Sequence, residues 1–333
     1  MKILHVANFS WFNNSLVYYS IDRKISNGLI RNGYFVYDFS YRDISRYSSL
    51  FKSKKLGIKA MNMRLIETVN NFEPDIILFG HSELILSDTM KMIKNKRPNI
   101  KMALWWVDWL ENIQVIQEKV PYLDVIFTTT GIRESQKKIS NKIHIEYMPN
   151  MCDSSIDEYK AFEVEKVKYD IFYAGRYDKN RENIVEYLNL LSSKYKIGLF
   201  GLSKETLLLG HQFIKTIGSS KIAINFSRDN GVYLYSSDRI VQLTANGVLV
   251  FSPRIPGFEK IFNDNEIIYF DSIDELDKKL NYYLNHYEEY VKIAKAGYEK
   301  THLYYNSTVV TKFMIETIQN IEYSSRYIWL DKN

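Results

Sequence analysis

Short apolar runs alternate with helical stretches along the chain, and few of the runs show the period-two alternation of a half-exposed strand. Lys2–Ala7 predicts a buried strand, residues 8–15 a polar loop, and the spacing of Leu16, Tyr19, Ile25, Leu29 and Ile30 a helix. Asn32-Gly33 closes that helix, since glycine suits the left-handed position after a helix end. Residues 34–39 are aromatic and β-branched and predict a second strand. The alternation continues with helices over 60–72, 83–94 and 132–140. Strands are expected at 76–79, 101–107, 124–129 and 143–147. A charged seam without a buried face spans 148–168. Beyond it come strands at 169–174, 197–200, 221–226, 247–251 and 266–270, with helices at 183–191, 237–246 and 274–286. Continuous apolar strands between helices are what a parallel sheet covered on both faces requires. The expected fold class is α/β: two Rossmann-like doubly wound domains, 1–155 and 165–307, whose carboxyl-end loops face a central cleft. Val310, Phe313, Met314, Ile318 and Ile321 recur at helical spacing, so 308–333 is expected to carry a final helix packing back on the first domain.

Composition narrows the class. The 333 residues are 46% hydrophobic, enough for two cores and too apolar for disorder. Cys152 is the only cysteine, which excludes a disulfide framework. No apolar run reaches the ~18–20 residues of a membrane-spanning helix, and the opening residues are too polar beyond Val6 for a secretory signal. The expected location is the cytoplasm, including the inner face of a membrane. The net charge of +5 is unevenly spread: residues 1–150 hold 21 Lys and Arg against 14 Asp and Glu. An anionic partner for the first half is implied, such as a membrane surface or a phosphorylated acceptor. Residues 41–56 mix Tyr and Phe with Arg42, Arg46, Lys52, Lys54 and Lys55, a composition that suits anionic headgroups and equally suits a solvated loop and helix. Nucleic acid is not an expected partner, because the basic excess is modest and no reader motif is present.

Candidate chemistry is sought just after strands, where open parallel sheets bind ligands. The run 169–181 ends a strand at Gly175 and follows it with Arg176, Lys179 and Arg181, an arrangement suited to a diphosphate. Ser237 or Asp238 is placed to cap a helix carrying Arg239 and Gln242, and Pro256-Gly257 makes a turn whose backbone N–H suits a sugar or phosphate. In the first half His81, Glu83 and Asp108 follow strands and are the candidate general bases. Asp108 sits among Trp105, Trp106 and Trp109, whose faces suit sugar packing. The six histidines show no metal-ligand spacing, so no metal site is expected.

The segments F-Y-A-G-R, R-I-V-Q-L-T-A-N-G-V-L-V-F, P-G-F-E-K-I-F, I-Y-F-D-S-I-D-E-L and I-A-K-A-G-Y-E-K follow one another across some 130 residues. In this order they resemble the nucleotide-sugar domain of GT-B glycosyltransferases, in particular the bacterial spore-maturation glycosyltransferase-like family. The resemblance implies a metal-independent enzyme moving a sugar from a nucleotide-diphosphate donor to a hydroxyl of a glycan or lipid-linked acceptor, in bacterial surface-glycan assembly, with no further cofactor. It implies that Gly175, Arg176, Lys179 and Arg181 hold the diphosphate and that Arg239 faces the donor. Gln242 stands where the family carries a ribose-binding glutamate, and Leu234 where the broader retaining group carries an acid. Retention or inversion therefore stays open, as do a nucleotide-sugar epimerase of the same fold and a non-catalytic member that binds a nucleotide or glycan.

Overall fold

The computed structural model describes residues 1–330 and separates into two compact units. The last three residues of the segment expected over 308–333 lie outside the described residues. The first unit comprises residues 1–149 together with 307–330, and the second residues 150–306. The boundary falls before residue 155, because the side-chain amide of Asn150 donates to Ser236 Oγ at 2.9 Å and Cys152 bridges to Asn306.

In the first unit the chain runs β1 (Lys2–Ala7), α1 (Ile21–Arg31), β2 (Phe35–Ser40), α2 (Tyr41–Tyr47), α3 (Ile58–Phe72), β3 (Ile76–Gly80) and α4 (Ser87–Lys96). It continues through β4 (Lys101–Trp106), β5 (Val125–Thr128), α5 (Ile132–Lys138) and β6 (His144–Tyr147). The six strands form one parallel sheet in the order β2-β1-β3-β4-β5-β6. Successive residues Ile3, Leu4, His5 and Val6 are all fully buried, so both faces of the central strands are covered.

The second unit contains β7 (Tyr169–Ala174), α6 (Glu182–Leu191), β8 (Ile197–Phe200), α7 (His211–Gly218), β9 (Ser220–Ile224) and α8 (Arg239–Ala245). β10 (Leu249–Pro253), β11 (Ile268–Phe270), α9 (Ile273–Asn285) and α10 (Tyr287–Tyr304) complete it. Its parallel sheet has the order β11-β10-β9-β7-β8. Ser272 caps α9 by accepting the Glu275 N–H at 3.2 Å.

The chain then returns to the first unit as α11 (Ser307–Gln319), which lies on α1 and against β4 and β5. Gly28 permits this close approach, because a Cβ there would stand 2.2 Å from the Ser307 carbonyl oxygen. Asn32 fastens the contact, donating to the Thr308 carbonyl at 2.9 Å and to Thr311 Oγ1 at 3.0 Å.

The helix expected from Leu16 begins only at Ile21. Residues 16–19 form turns and Ser20 is extended, with ψ of 153°, so the helical run cannot pass through it; upstream, Ser10, Asn14 and Ser15 take left-handed backbone, with φ of 51°, 55° and 62°. Likewise α4 begins at Ser87 instead of residue 83, because residues 82–85 form a turn, closed by the Ile85 N–H on the Ser82 carbonyl at 3.0 Å, and Leu86 is extended, with ψ of 142°.

Candidate functional site

Each sheet reverses its winding direction once. In the first the reversal lies between β1 and β3, and in the second between β7 and β9. At such a point the loops leaving neighbouring strands diverge and open a crevice at the carboxyl ends.

A cavity of about 280 Å³ occupies that position in the first unit. Asn8 follows β1, Gly80 ends β3 and His81 follows it, and Val107 and Asp108 follow β4; Asp22, Tyr41, Arg42 and Trp105 complete most of its wall. Two of the predicted residues, His81 and Asp108, thus meet. His81 stacks on Trp106 at 4.6 Å between ring centroids and meets Trp105 edge-on. Burial pulls its imidazole below the ordinary value against the pull of Asp108 and Glu83. Asp108 accepts the Trp109 N–H at 2.7 Å and the Asn112 side-chain amide at 3.2 Å. Glu83 lies beside the cavity and is engaged by Tyr41 Oη and Arg42 Nε. Burial alone would raise its carboxyl, but those hydrogen bonds and the Arg42 charge hold it below the usual glutamate range. It is a fixed anion that orients Arg42.

Sequence reasoning missed Asp22, in the first turn of α1. Its carboxylate accepts the Asn8 N–H at 3.0 Å, yet burial raises its pKa to about 6 against that bond and the Arg42 charge. A carboxylate that titrates near neutrality at a cavity wall has the profile of a general base. A hydrogen-bonded chain fixes the neighbouring Trp105. Its indole N–H donates to His5 Nε2 at 3.2 Å, so the His5 proton sits on Nδ1 and points to Ser26 Oγ at 2.8 Å. Ser26 in turn donates to Asp38 at 2.6 Å. Burial lowers the His5 pKa to about 3, which keeps the ring neutral.

In the second unit the β7/β9 reversal gathers Tyr173, Gly175, Arg181, Arg239 and the segment 225–227. Arg239 lies over the Tyr173 ring at 5.9 Å and donates to the Phe226 carbonyl at 3.0 Å. Burial, and then the Arg181 charge, pull its guanidinium down to about 10. Neither arginine makes an ion pair among the described residues. Arg181 Nε and four further enclosed polar atoms on these segments have no hydrogen-bond partner: Tyr173 Oη, Asn225 Oδ1, Ser227 Oγ and Ser237 Oγ. Buried polar groups are ordinarily satisfied, so such a concentration marks a place prepared for a polar ligand. Asp178 is the nearby carboxylate that feels Arg181, and its ion pair is with Arg228, so two neighbouring cations stand without an ion pair of their own, an arrangement that suits an anion.

The other predicted residues behave differently. The Gly175 N–H, expected to meet an anion, is spent on the Phe200 carbonyl at 3.0 Å, extending the β7–β8 ladder. The glycine is still needed, since a Cβ would stand 2.8 Å from Tyr173 Oη. Arg176 and Lys179 are exposed, and the Arg176 carbonyl accepts from Arg181 at 3.1 Å. Asp238 precedes α8 without capping it; its carboxylate takes the Gln242 side-chain N–H at 2.6 Å. Gln242, expected at the ribose, is therefore buried and engaged within the helix's first turn. Gly257, with φ of 77°, makes its close approach to the Tyr233 ring, which a Cβ would reach at 2.2 Å. Leu234 is fully buried. Among the described residues no group of three His, Cys, Asp or Glu is arranged to hold a metal ion, and no helix is long and apolar enough to cross a membrane.

A family model described as glycosyl transferase-like matches residues 181–316. No curated protein sequence matches the chain. Among solved structures, sucrose-phosphate synthase from Thermosynechococcus elongatus is similar with a TM-score of 0.69 at 10% identity, over 96% of this chain and 98% of that one. HepE of Anabaena, in complex with UDP-glucose, gives a TM-score of 0.60 at 10% identity, over 96% and 100% of the two chains. AviGT4, a glycosyltransferase involved in avilamycin A biosynthesis, gives 0.61 at 9% identity, over 96% and 98%. The fold is that of GT-B glycosyltransferases, and the resemblance carried by the motifs of residues 170–305 holds at the level of the glycosyl transferase-like description.

Proposed function

We propose that the chain is a glycosyltransferase moving a sugar from a nucleotide-diphosphate sugar to a hydroxyl acceptor. The observation that carries this reading is the Arg181–Arg239 pair with four unpartnered polar atoms on the segments at the β7/β9 reversal. HepE, of the same fold, binds UDP and UDP-glucose, which supports a donor of that class here. In this reading Arg181 and Arg239 hold the diphosphate at close range, with the exposed Arg176 and Lys179 adding longer-range attraction. Tyr173, Asn225, Ser227 and Ser237 take donor hydroxyls or phosphate oxygens. Leaving-group charge is assigned to these cations instead of a metal ion.

The first unit supplies the acceptor site. Asp22 is the proposed base: it takes the proton of the acceptor hydroxyl as that oxygen bonds to the anomeric carbon. The bond from that carbon to the diphosphate breaks, and the diphosphate leaves with the electron pair. This is the inverting course, and it accords with a buried Leu234 where retaining relatives are expected to carry an acid. His81 and the tryptophans offer ring surface to the acceptor sugar, and Asp108 a hydrogen-bond acceptor. Bacterial surface-glycan assembly at the cytoplasmic membrane face is the proposed setting. Trp11, Phe12, Leu50 and Phe51 are between 44% and 94% exposed and lie near Lys52 and Lys54 in sequence or space, a pairing of apolar tips and cations that suits an anionic bilayer.

The test is thermal stabilisation by UDP, GDP, dTDP and CMP. A ligand at ~100 times its dissociation constant adds ~2.7 kcal/mol to stability. A shift from one nucleoside diphosphate that is lost in Arg181→Ala, followed by turnover with its sugar, is the expected result. No shift from any nucleotide by a folded sample would overturn the donor site, whereas a shift without turnover would leave a nucleotide-binding protein.

A further inference from the structure

A second cavity, of about 290 Å³, adjoins the acceptor cavity in the same unit and shares Asn8 and Arg42 with it. Arg42, Arg46 and Lys54 line it, together with Asn13 and Asp43. Arg42 shares its charge with Glu83. Arg46 and Lys54 are exposed, and neither makes an ion pair among the described residues. The one lining carboxylate, Asp43, is buried and already accepts from Ser40 Oγ and from the Trp11 N–H at 2.9 Å. It fastens the loop of residues 8–15 to α2 and forms no ion pair with Arg46 or Lys54 among the described residues. That loop holds Ser10, Asn14 and Ser15 in left-handed backbone. Such conformations cost energy in non-glycine residues and cluster at ligand clamps.

We propose that this cavity is an anion subsite holding a phosphate group, monoester or diphosphate, carried by the acceptor. Arg46 and Lys54 are its principal ligands, and Arg42 links it to the cavity containing Asp22. Three cations lining one cavity suit the several oxygens of a phosphate better than the single edge of a carboxylate. The inference rests on the glycosyl-transfer reading, because it specifies the acceptor of that reaction. The phosphate belongs either to a soluble phosphorylated acceptor or to a lipid headgroup.

Inorganic phosphate is titrated into the full chain, with and without UDP, and UDP binding is measured on the same samples. In Arg46→Ala/Lys54→Ala, both positions exposed, phosphate affinity is expected to fall about tenfold or more while UDP affinity is unchanged. Lys55→Ala/Lys59→Ala removes equal charge from exposed positions that do not line the cavity and is expected to change neither. Co-sedimentation with phosphatidylglycerol vesicles, lost in the first pair alone and seen without binding of free phosphate, assigns the group to a headgroup. Binding of free phosphate without vesicle binding assigns it to a soluble acceptor. Equal effects of the two pairs, no effect of the first, or no binding of either probe would overturn the subsite. A chain that binds phosphate here and no nucleotide would instead refute the donor reading.

Discussion

At the residue scale, Asp22 makes the sharpest commitments. Its folded pKa of about 6 lies above the ordinary 3.8, so the folded state holds more protons than the unfolded one between those values. Its contribution to stability is therefore fully present below about pH 4 and is lost as the pH rises through 6. Asp22→Asn removes that loss. Measured by urea unfolding, the variant should gain on the wild type as pH rises from about 4 to 6, and the difference should be flat above. The same substitution should remove ~10²–10⁴-fold of turnover if Asp22 is the base. The wild-type kcat/KM should rise with pH through about 6; a profile without that limb would remove Asp22 from the chemistry. His5 works in the opposite sense. Its pKa is depressed from 6.5 to about 3, so stability is present above 6.5 and falls as the pH drops below it. The shift is wider than that of Asp22, so the tendency of this pair is toward acid destabilisation of the first unit.

At the scale of elements, the α1–α11 contact sets two effects against each other. Alanine in place of Gly28 gains ~1 kcal/mol of intrinsic helix propensity. Its Cβ, however, would stand 2.2 Å from a backbone carbonyl oxygen that cannot rotate aside, and overpacking of this kind costs ~1–3 kcal/mol. Gly28→Ala should therefore lower stability, and Gly28→Val should lower it further; a stabilised Gly28→Ala would show that α11 docks loosely. The elements themselves were largely legible, because continuous apolar runs such as Ile76–Gly80 and Val125–Thr128 have few alternatives to a buried parallel strand. Helix starts were less so: Leu16 and Tyr19 continue the spacing of α1 backwards, although three left-handed residues precede them and Leu16 is exposed. The site was legible only in part. Arg181, His81 and Asp108 announced themselves by following strands, and Arg239 by standing in the first turn of a helix expected to be capped. Asp22 did not, since an acid within a helix expected from Leu16 reads as part of its solvated face. Asn225 and Ser227 also passed unnoticed, because an unsatisfied oxygen is a property of packing and has no sequence pattern.

At the scale of the whole molecule, the two units are unequal in how the chain builds them. The second is one uninterrupted stretch, 150–306, with its own sheet and a core that includes Ile171, Ile222, Leu249 and Phe270. The first needs both ends of the chain, since α11 returns to cover α1, β4 and β5. Phe313, Met314 and Ile315 are fully buried there, with Phe313 in edge contact with Phe127 at 6.0 Å. Burying each such side chain is worth about 1.5–3 kcal/mol, which over one helix rivals the 5–15 kcal/mol stability of a typical domain. Residues 150–306 expressed alone should therefore fold, unfold cooperatively on heating and retain the nucleotide shift of the full chain, because every residue of the proposed donor site lies within them. Residues 1–149 alone should lack a cooperative transition, and a fusion of 1–149 to 307–330 through a flexible linker should restore it. If 1–149 unfolds as cooperatively as the fusion, α11 is an accessory to the first unit and not part of its core. If 150–306 folds and binds no nucleotide that the full chain binds, the donor site requires residues that the second unit does not contain.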